Sequence, residues 1–152
     1  MSTTHILERK QIVPAPLDEV FHFFEDPKNL ERITPSWLHF NVKSTTHERV
    51  QEGTEIQYRL RWQVFPMSWR SRITEYRQDE MFADEMLRGP YTRWYHRHFF
   101  EAVPEGVEMI DRVEYTLPFG PLGDLVHTLV IRRQLESIFD YRQLAIRTIF
   151  PA

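Results

Sequence analysis

The sequence of 152 residues contains no cysteine, so disulfide bonds, thiolate metal sites and cysteine nucleophiles are all excluded. The absence of cysteine fits the cytosol, which is the compartment we expect for this chain. No stretch reaches the ~18 apolar residues of a membrane-spanning helix, and we expect no integral membrane association. The first ten residues include no apolar run of the kind found in signal peptides.

An excess of charge of one sign is also lacking. The formal net charge is −3 at pH 7, from 19 Lys and Arg residues against 22 Asp and Glu residues. This balance gives no general attraction to nucleic acid, and we expect no nucleic-acid partner. Aromatic residues, by contrast, are abundant at 14% of the chain, which favours a core or pocket of large side chains on a sheet. The length predicts a single domain over residues 1–152.

Hydrophobic periodicity predicts one strand and two short helices in the N-terminal part of the chain. Residues 6–13 alternate loosely and are typical of a strand. The segment after Pro16 has a helical apolar stripe that includes Phe21 and Phe24. Asp26-Pro27 then starts a second short helix, with Asp26 as its cap.

Residues from about 38 to 118 show strand patterns, beginning with the alternation of Leu38, Phe40 and Val42. Turn residues separate these segments at Glu52-Gly53, Phe65-Pro66, Gly89-Pro90 and Pro104-Glu105-Gly106. A long helix follows Pro121, with an apolar stripe that extends to Ile146. This order predicts an α+β fold, in which an antiparallel sheet of about six to seven strands packs against a long C-terminal helix.

The most informative segment is Trp94–Phe100, which places two histidines on one face of a predicted strand. At the two-residue period of a strand, this face consists of Trp94, His96, His98 and Phe100. The neighbouring segments contribute faces that include Phe82, Asp84, Asp111 and Tyr115. Polar groups on such an aromatic surface form either a satisfied internal network or the inside of a binding cavity.

Two predicted hairpins set the register of these strands. A turn centred on Gly89-Pro90 places Asp84 opposite His96, and a turn over residues 104–106 places His98 opposite Asp111. Direct cross-strand neighbours lie ~4.5–5.5 Å apart at Cβ, which is within reach of a carboxylate–imidazole hydrogen bond. We therefore expect each aspartate to pair with a histidine. We expect no metal site, because the two aspartates flank opposite sides of the central strand.

Several segments together resemble one known superfamily. They are Ile12-Val13-Pro14-Ala15-Pro16-x-Asp18-Glu19-Val20-Phe21, Asp26-Pro27-x-Asn29-Leu30-x-x-Ile33-Thr34-Pro35, Trp69-x-Ser71-x-Ile73, Gly89-Pro90-Tyr91-x-x-Trp94-x-His96-x-His98-x-Phe100, Asp111-x-Val113-x-Tyr115-x-Leu117-Pro118-Phe119-Gly120 and Phe139-x-Tyr141-Arg142. These motifs resemble the START-like superfamily of polyketide cyclase/dehydrase and lipid transport proteins (SRPBCC), and within it a bacterial cyclase/dehydrase-like subgroup.

The resemblance implies a helix-grip fold, in which a curved antiparallel sheet wraps around a long C-terminal helix and encloses an elongated apolar cavity. Members of the superfamily bind lipids, polyketides, quinones or plant hormones, and only some of them catalyse cyclisation or dehydration. Some members of the subgroup are fused to sugar-nucleotide-epimerase-like domains, which implies an epimerase-like protein as a partner. Because one fold serves many functions, the resemblance alone does not identify the function.

Three functions stay open on the sequence. The first is binding of a hydrophobic or aromatic small molecule without a cofactor, through Tyr58, Trp62, Trp69, Phe82, Asp84, Trp94, His96, His98, Asp111 and Tyr115. The second is an aromatase/cyclase or dehydratase, with His96, His98, Asp84 and Asp111 as acid/base groups. The third is an accessory module that binds a partner protein through an arginine-rich outer sheet face. A homodimer is left open, and His127 is assigned no role.

Overall fold

The computed structural model describes residues 3–152, so Met1 and Ser2 of the expected domain lie outside the described residues. Seven antiparallel strands form a sheet in the order β1-β7-β6-β5-β4-β3-β2. The strands are β1 (Thr4–Val13), β2 (Asn41–Thr45), β3 (Glu55–Trp62), β4 (Phe65–Arg77), β5 (Met81–Arg88), β6 (Arg93–Val103) and β7 (Gly106–Thr116).

Short helices connect β1 to β2. Helix α1 spans Leu17–Glu25, and its apolar stripe is buried against the sheet, with Phe21 fully enclosed. A 3-10 helix over Pro27–Ile33 follows. Asp26 caps this helix as predicted, because its side chain accepts a hydrogen bond of 3.0 Å from the backbone N–H of Lys28.

One long helical segment follows β7 and runs unbroken from Gly120 to Ile149. It consists of α2 (Gly120–Val126), a π-helical turn (His127–Ile131) and α3 (Arg132–Ile149). Strand β1, the short helices, the antiparallel sheet and the long C-terminal helix together form a helix-grip fold, and the predicted α+β class is confirmed. None of the helices within residues 3–152 combines the length and the apolar character that a membrane span requires.

Two boundaries in the sheet differ from the sequence prediction. Leu38 ends a short 3-10 helix instead of starting a strand, and β2 begins only at Asn41. The Phe65-Pro66 pair starts β4 instead of forming a turn. The turn lies two residues earlier, at Gln63-Val64, because Gln63 adopts a positive φ of 56°, which reverses the chain tightly enough for Trp62 to pair with Phe65. A proline is tolerated at the start of a strand.

Irregular pairing between β4 and β5 lets the sheet bend. The register shifts between Arg70 and Ser71 and again between Ile73 and Glu75, so that Leu87 of β5 and Thr74 of β4 have no cross-strand partner. An extra residue on one strand bends that strand and increases its local twist. The two bulges therefore favour local bending and twist of the sheet at β4 and β5.

Two clusters of buried apolar side chains hold the helices on the sheet. The first joins α1 and the following 3-10 helix to the strands and includes Phe21, Ile33, Ile73, Phe82 and Phe100. The second joins α3 to β6 and β7 and consists of Trp94, Val113, Tyr115, Leu135 and Phe139. Residues of both clusters also line a cavity between the sheet and the C-terminal helical segment.

Candidate functional site

The cavity has a volume of about 490 Å³. Small-molecule sites commonly occupy ~300–1,000 Å³. Most of the wall is apolar and comes from strands β3 to β6, the first 3-10 helix and helices α2 and α3. The polar side chains of the wall, tryptophan excepted, are those of Thr34, Tyr58, Ser71, Asp84, Tyr91, His96, His98, Gln134 and Arg142. The cavity therefore combines a large apolar surface with a small polar patch.

The opening of the cavity lies beside α2. Phe119, Leu122 and Val126 line the cavity and are at the same time 80%, 62% and 40% exposed to solvent. Apolar side chains that touch both the cavity and the solvent mark its rim. The route into the cavity is therefore apolar.

Eight of the ten predicted ligand-binding residues line this cavity. They are Tyr58, Trp62, Trp69, Phe82, Asp84, Trp94, His96 and His98. Asp111 and Tyr115 do not line it. Asp111 instead contacts the histidines and the C-terminal helix. The Tyr115 hydroxyl lies 2.6 Å from Nε2 of His127, so this pair forms a separate contact between β7 and the π-helical turn.

The strand register around the histidines is the predicted one. Asp84 lies directly opposite His96 between β5 and β6, and His98 lies directly opposite Asp111 between β6 and β7. On the β6 face, the imidazole rings of His96 and His98 are stacked with their centroids 3.7 Å apart. The two turns therefore suffice to bring all four residues together.

The hydrogen bonds, however, run diagonally across the strands, which corrects the predicted pairing of Asp84 with His96, while His98 stays within 3.3 Å of Asp111. Nε2 of His96 donates to Oδ1 of Asp111 at 2.9 Å, and Nε2 of His98 donates to Oδ2 of Asp84 at 2.8 Å. An ionised carboxylate can only accept, so each Nε2 carries a proton. Side chains lean along a strand, and long ones can therefore reach the diagonal neighbour, which register alone does not reveal.

Arg142 completes the polar cluster and was missed by the sequence analysis of candidate residues. It is buried on α3, and its Nη2 donates to Oδ1 of Asp111 at 3.1 Å. A signal was present in the sequence, because Arg142 interrupts the apolar stripe formed by Leu135, Phe139 and Ile146. An arginine at a core-facing helix position needs a buried partner, and Asp111 is that partner.

The cluster shifts the pKa values of the two histidines in opposite directions. Burial alone lowers the pKa of His98, but the carboxylates of Asp111 and Asp84 outweigh it and hold this pKa above its ordinary value. Nδ1 of His98 lies 3.3 Å from Oδ1 of Asp111, although without the alignment of a hydrogen bond. Burial and the neighbouring His98 hold the pKa of His96 below its ordinary value, so His96 is neutral at pH 7.

The two aspartates remain ionised inside the protein. Burial raises the pKa of Asp111, but the cation of Arg142 and the hydrogen bonds from the histidines outweigh it and hold this pKa well below its usual range. Asp84 shows the same balance, with His98 as the main opposing group. The cluster thus contains two carboxylates, the cation of Arg142, a His98 whose pKa is raised by the carboxylates, and a His96 whose pKa is lowered.

The polar patch retains atoms without a partner within residues 3–152. Because Nε2 of the neutral His96 carries the proton, its Nδ1 is an unprotonated acceptor, and no side chain or backbone group donates to it. Oδ1 of Asp84 and the hydroxyls of Tyr58 and Tyr91 likewise take part in no hydrogen bond. These atoms are available to a molecule inside the cavity.

His127 is part of a second polar cluster, although the sequence assigned it no role. Besides its contact with Tyr115, its ring stacks on that of His5, with centroids 3.6 Å apart. Nε2 of His5 in turn lies 3.3 Å from Oδ1 of Asp124. This cluster fixes the π-helical turn and α2 to β1, and so supports the rim of the cavity.

Three of the cluster residues are also close enough to hold a metal ion. Nitrogen or oxygen atoms of Asp84, His96 and His98 lie within 4.8 Å of one another. The hydrogen bonds to Asp84 and Asp111 already account for the positions of both imidazoles. The absence of a metal site stays a prediction from the sequence.

The chain matches one protein-family model and several solved structures. Residues 13–139 match the family model described as polyketide cyclase/dehydrase and lipid transport. Comparison with curated proteins gives no match.

Among solved structures, the chain is similar to a Chromobacterium violaceum protein, with 11% identity, a TM-score of 0.73 and coverage of 97% of this chain and 99% of that chain. A Staphylococcus aureus protein of unknown function gives 14% identity, a TM-score of 0.68 and coverage of 97% and 96%. Major latex-like protein 151 of Panax ginseng gives 14% identity, a TM-score of 0.59 and coverage of 88% and 96%. These low identities show the fold alone.

We expect the substitution Arg142→Met to lower the free energy of unfolding by about 3–5 kcal/mol, because it leaves Asp111 buried without its cation. The control is Arg133→Met on the exposed side of the same helix, which should change this free energy by less than about 0.5 kcal/mol. Urea unfolding followed by circular dichroism measures both. Equal effects of the two substitutions would contradict a stabilising role for the Arg142–Asp111 pair.

The stabilisation provided by His98 should depend on pH. Because its pKa is higher in the folded state, its contribution is fully present below the ordinary value of 6.5 and is lost as pH rises through the folded-state value. Protonation of Asp84 and Asp111, whose pKa values are lowered from 3.8, removes their contributions only in stronger acid. We therefore expect the difference in unfolding free energy between the wild type and His98→Gln to be largest at about pH 5–6 and to shrink toward about pH 9. A difference that does not vary with pH would show that His98 is not a buried cation.

Proposed function

The chain belongs to the polyketide cyclase/dehydrase and lipid transport family, and we propose that it binds a hydrophobic or aromatic small molecule in the cavity between sheet and C-terminal helix. The observation that carries this proposal is the cavity itself, with its apolar wall, its apolar rim and its few unpaired polar atoms. Lipid, polyketide and quinone-like molecules share this combination of a large apolar body and a few polar atoms. We extend the proposal to the whole of residues 1–152 as one ligand-binding domain.

The wall residues divide into two groups under this proposal. The aromatic side chains Trp62, Trp69, Phe82 and Trp94 provide apolar surface for the body of the ligand. Burial of such surface is favourable by about 25 cal/mol per Å² removed from water. Tyr58, Asp84, His96 and Tyr91 provide the polar contacts that orient the ligand.

Asp111 acts behind this surface, and His98, which lines the cavity, donates to Asp84. Asp111 holds His96 in one tautomer through its hydrogen bond to Nε2, and it is itself held by Arg142. Tyr115, which the sequence analysis included among the ligand-binding residues, is replaced in the proposal by Tyr91, because Tyr91 lines the cavity and Tyr115 does not.

A specific observation also favours acid/base catalysis as a second candidate function. His96 is neutral and has an unpaired Nδ1, so it could accept a proton from a bound molecule, as a dehydratase or cyclase requires. The cation of His98 would lie beside the proton that His96 gains and would oppose this gain. Binding is therefore the function we place first.

The arginine-rich outer face gives less support to the third candidate, a partner-binding module. Glu55 accepts hydrogen bonds of 2.7 Å from Arg70 and 3.2 Å from Arg72. Glu114 likewise accepts hydrogen bonds from Arg93 and Arg97. Arginines paired in this way with carboxylates on their own face are typical of a solvated sheet surface.

A cavity-filling substitution tests the binding proposal. Ile138 of α3 lines the cavity, and we expect Ile138→Trp to weaken binding of the neutral apolar fluorophore N-phenyl-1-naphthylamine by about tenfold or more, because the indole fills the space that the fluorophore needs. Leu144→Trp is the matched control, since Leu144 lies on the same helix and is 60% exposed to solvent. Fluorescence titration gives both affinities.

Binding of the fluorophore to the wild type and to Leu144→Trp, together with its loss in Ile138→Trp, would support the proposal. Equal affinities in the two variants would place the fluorophore outside the cavity. Absence of binding to the wild type at any concentration used would contradict the proposal directly.

A further inference from the structure

The ionisable groups at and behind the cavity wall are paired with one another before any ligand binds. Asp84 and Asp111 each accept a hydrogen bond from a basic side chain, since His98 donates to Asp84 at 2.8 Å and Arg142 donates to Asp111 at 3.1 Å. The second ring nitrogen of His98 faces Asp111 at 3.3 Å, so carboxylates lie next to both of its nitrogens. A buried ion is stable only when it is paired, and the existing pairs leave no uncompensated cation for a ligand anion.

The unpaired atoms of Asp84 and His96 in the polar patch are acceptors. Asp84 has a carboxylate oxygen free, and the neutral His96, whose proton lies on Nε2 toward Asp111, has its Nδ1 free as an acceptor. The hydroxyls of Tyr58 and Tyr91 can donate and can also accept, and Ser71, Gln134 and Arg142 contribute further donors to the same wall. A ligand that brings its own N–H or O–H group satisfies this patch, whereas a ligand carboxylate meets the negative charge of Asp84.

From these contacts we infer that the cavity selects an uncharged ligand whose polar end is a hydrogen-bond donor, an alcohol or a phenol, and rejects the corresponding carboxylate. This inference rests on the proposed binding function and specifies its ligand class. The ligand hydroxyl donates to Oδ1 of Asp84 or Nδ1 of His96 and accepts from a tyrosine hydroxyl. A hydroxyl can do both at once, which an ether, a ketone or a carboxylate cannot.

Three probes with one ring system separate these requirements. Pyrene has no polar group, 1-hydroxypyrene has a phenolic hydroxyl, and pyrene-1-carboxylate is an anion at neutral pH. We expect the wild type to bind 1-hydroxypyrene about tenfold more tightly than pyrene. Its preference for 1-hydroxypyrene over pyrene-1-carboxylate should be larger still. Fluorescence titration at pH 7 measures all three affinities.

Asp84→Asn and Glu85→Gln form a matched pair of variants. Both remove a carboxylate from β5, but Glu85 is the next residue along the strand and lies on the opposite face. We expect Asp84→Asn to reduce the preference for 1-hydroxypyrene over pyrene-1-carboxylate by about tenfold, and Glu85→Gln to leave it unchanged. Should Asp84→Asn fail to fold by circular dichroism, His96→Phe provides the second variant, and it should weaken binding of 1-hydroxypyrene while retaining binding of pyrene.

The outcomes separate this inference from the binding proposal. If none of the three probes binds the wild type, both fail. If pyrene or pyrene-1-carboxylate binds as tightly as 1-hydroxypyrene, the cavity binds apolar molecules but the inferred selectivity is wrong. If the preference for 1-hydroxypyrene is unchanged in both Asp84→Asn and His96→Phe, the polar patch is not its cause, and the inference is overturned.

Discussion

The buried carboxylate of Asp111 is the contact on which the arrangement of sheet, helix and cavity depends. Its Oδ1 lies 2.9 Å from Nε2 of His96, 3.3 Å from Nδ1 of His98 and 3.1 Å from Nη2 of Arg142. A carboxylate removed from water is stable only with such partners. Because these partners come from β6 and α3, one side chain of β7 ties the C-terminal helix to the sheet.

This attachment also explains how the cavity can remain polar at one point without losing stability. Asp111 orients His96 from behind, while Asp84 and His98 balance each other beside it. The apolar clusters around Phe21 and around Phe139 supply the packing on either side. A ligand that binds in the cavity of about 490 Å³ would stabilise the folded state by mass action.

Much of the fold could be predicted from the sequence, because it follows from local signals. Alternation marked the strands, turn residues marked most of the hairpins, and the two hairpins around β6 gave the correct register for Asp84, His96, His98 and Asp111. The turn at Phe65-Pro66 was predicted wrongly, because the tight reversal depends on the positive φ of Gln63, a residue type with no strong preference for it.

The details of the site were harder to predict, since they depend on side-chain direction and on contacts distant in sequence. Register places Asp84 beside His96, but the direction of the imidazoles moves the hydrogen bonds to the diagonal partners. Arg142 reaches Asp111 from the helix, 31 residues away in sequence, and no strand pattern reveals this contact. The pairing of Tyr115 with His127 likewise depends on how the π-helical turn meets β7.

The most direct test of the charge arrangement is a long-range 1H–15N NMR spectrum of the histidine rings at pH 7. Both ring nitrogens of His98 should show the shifts of a protonated imidazolium, and His96 should show a neutral ring protonated at Nε2. Addition of 1-hydroxypyrene should then move the resonance of Nδ1 of His96. A protonated His96, a neutral His98, or a His96 resonance that does not respond to the bound phenol would contradict the arrangement described above.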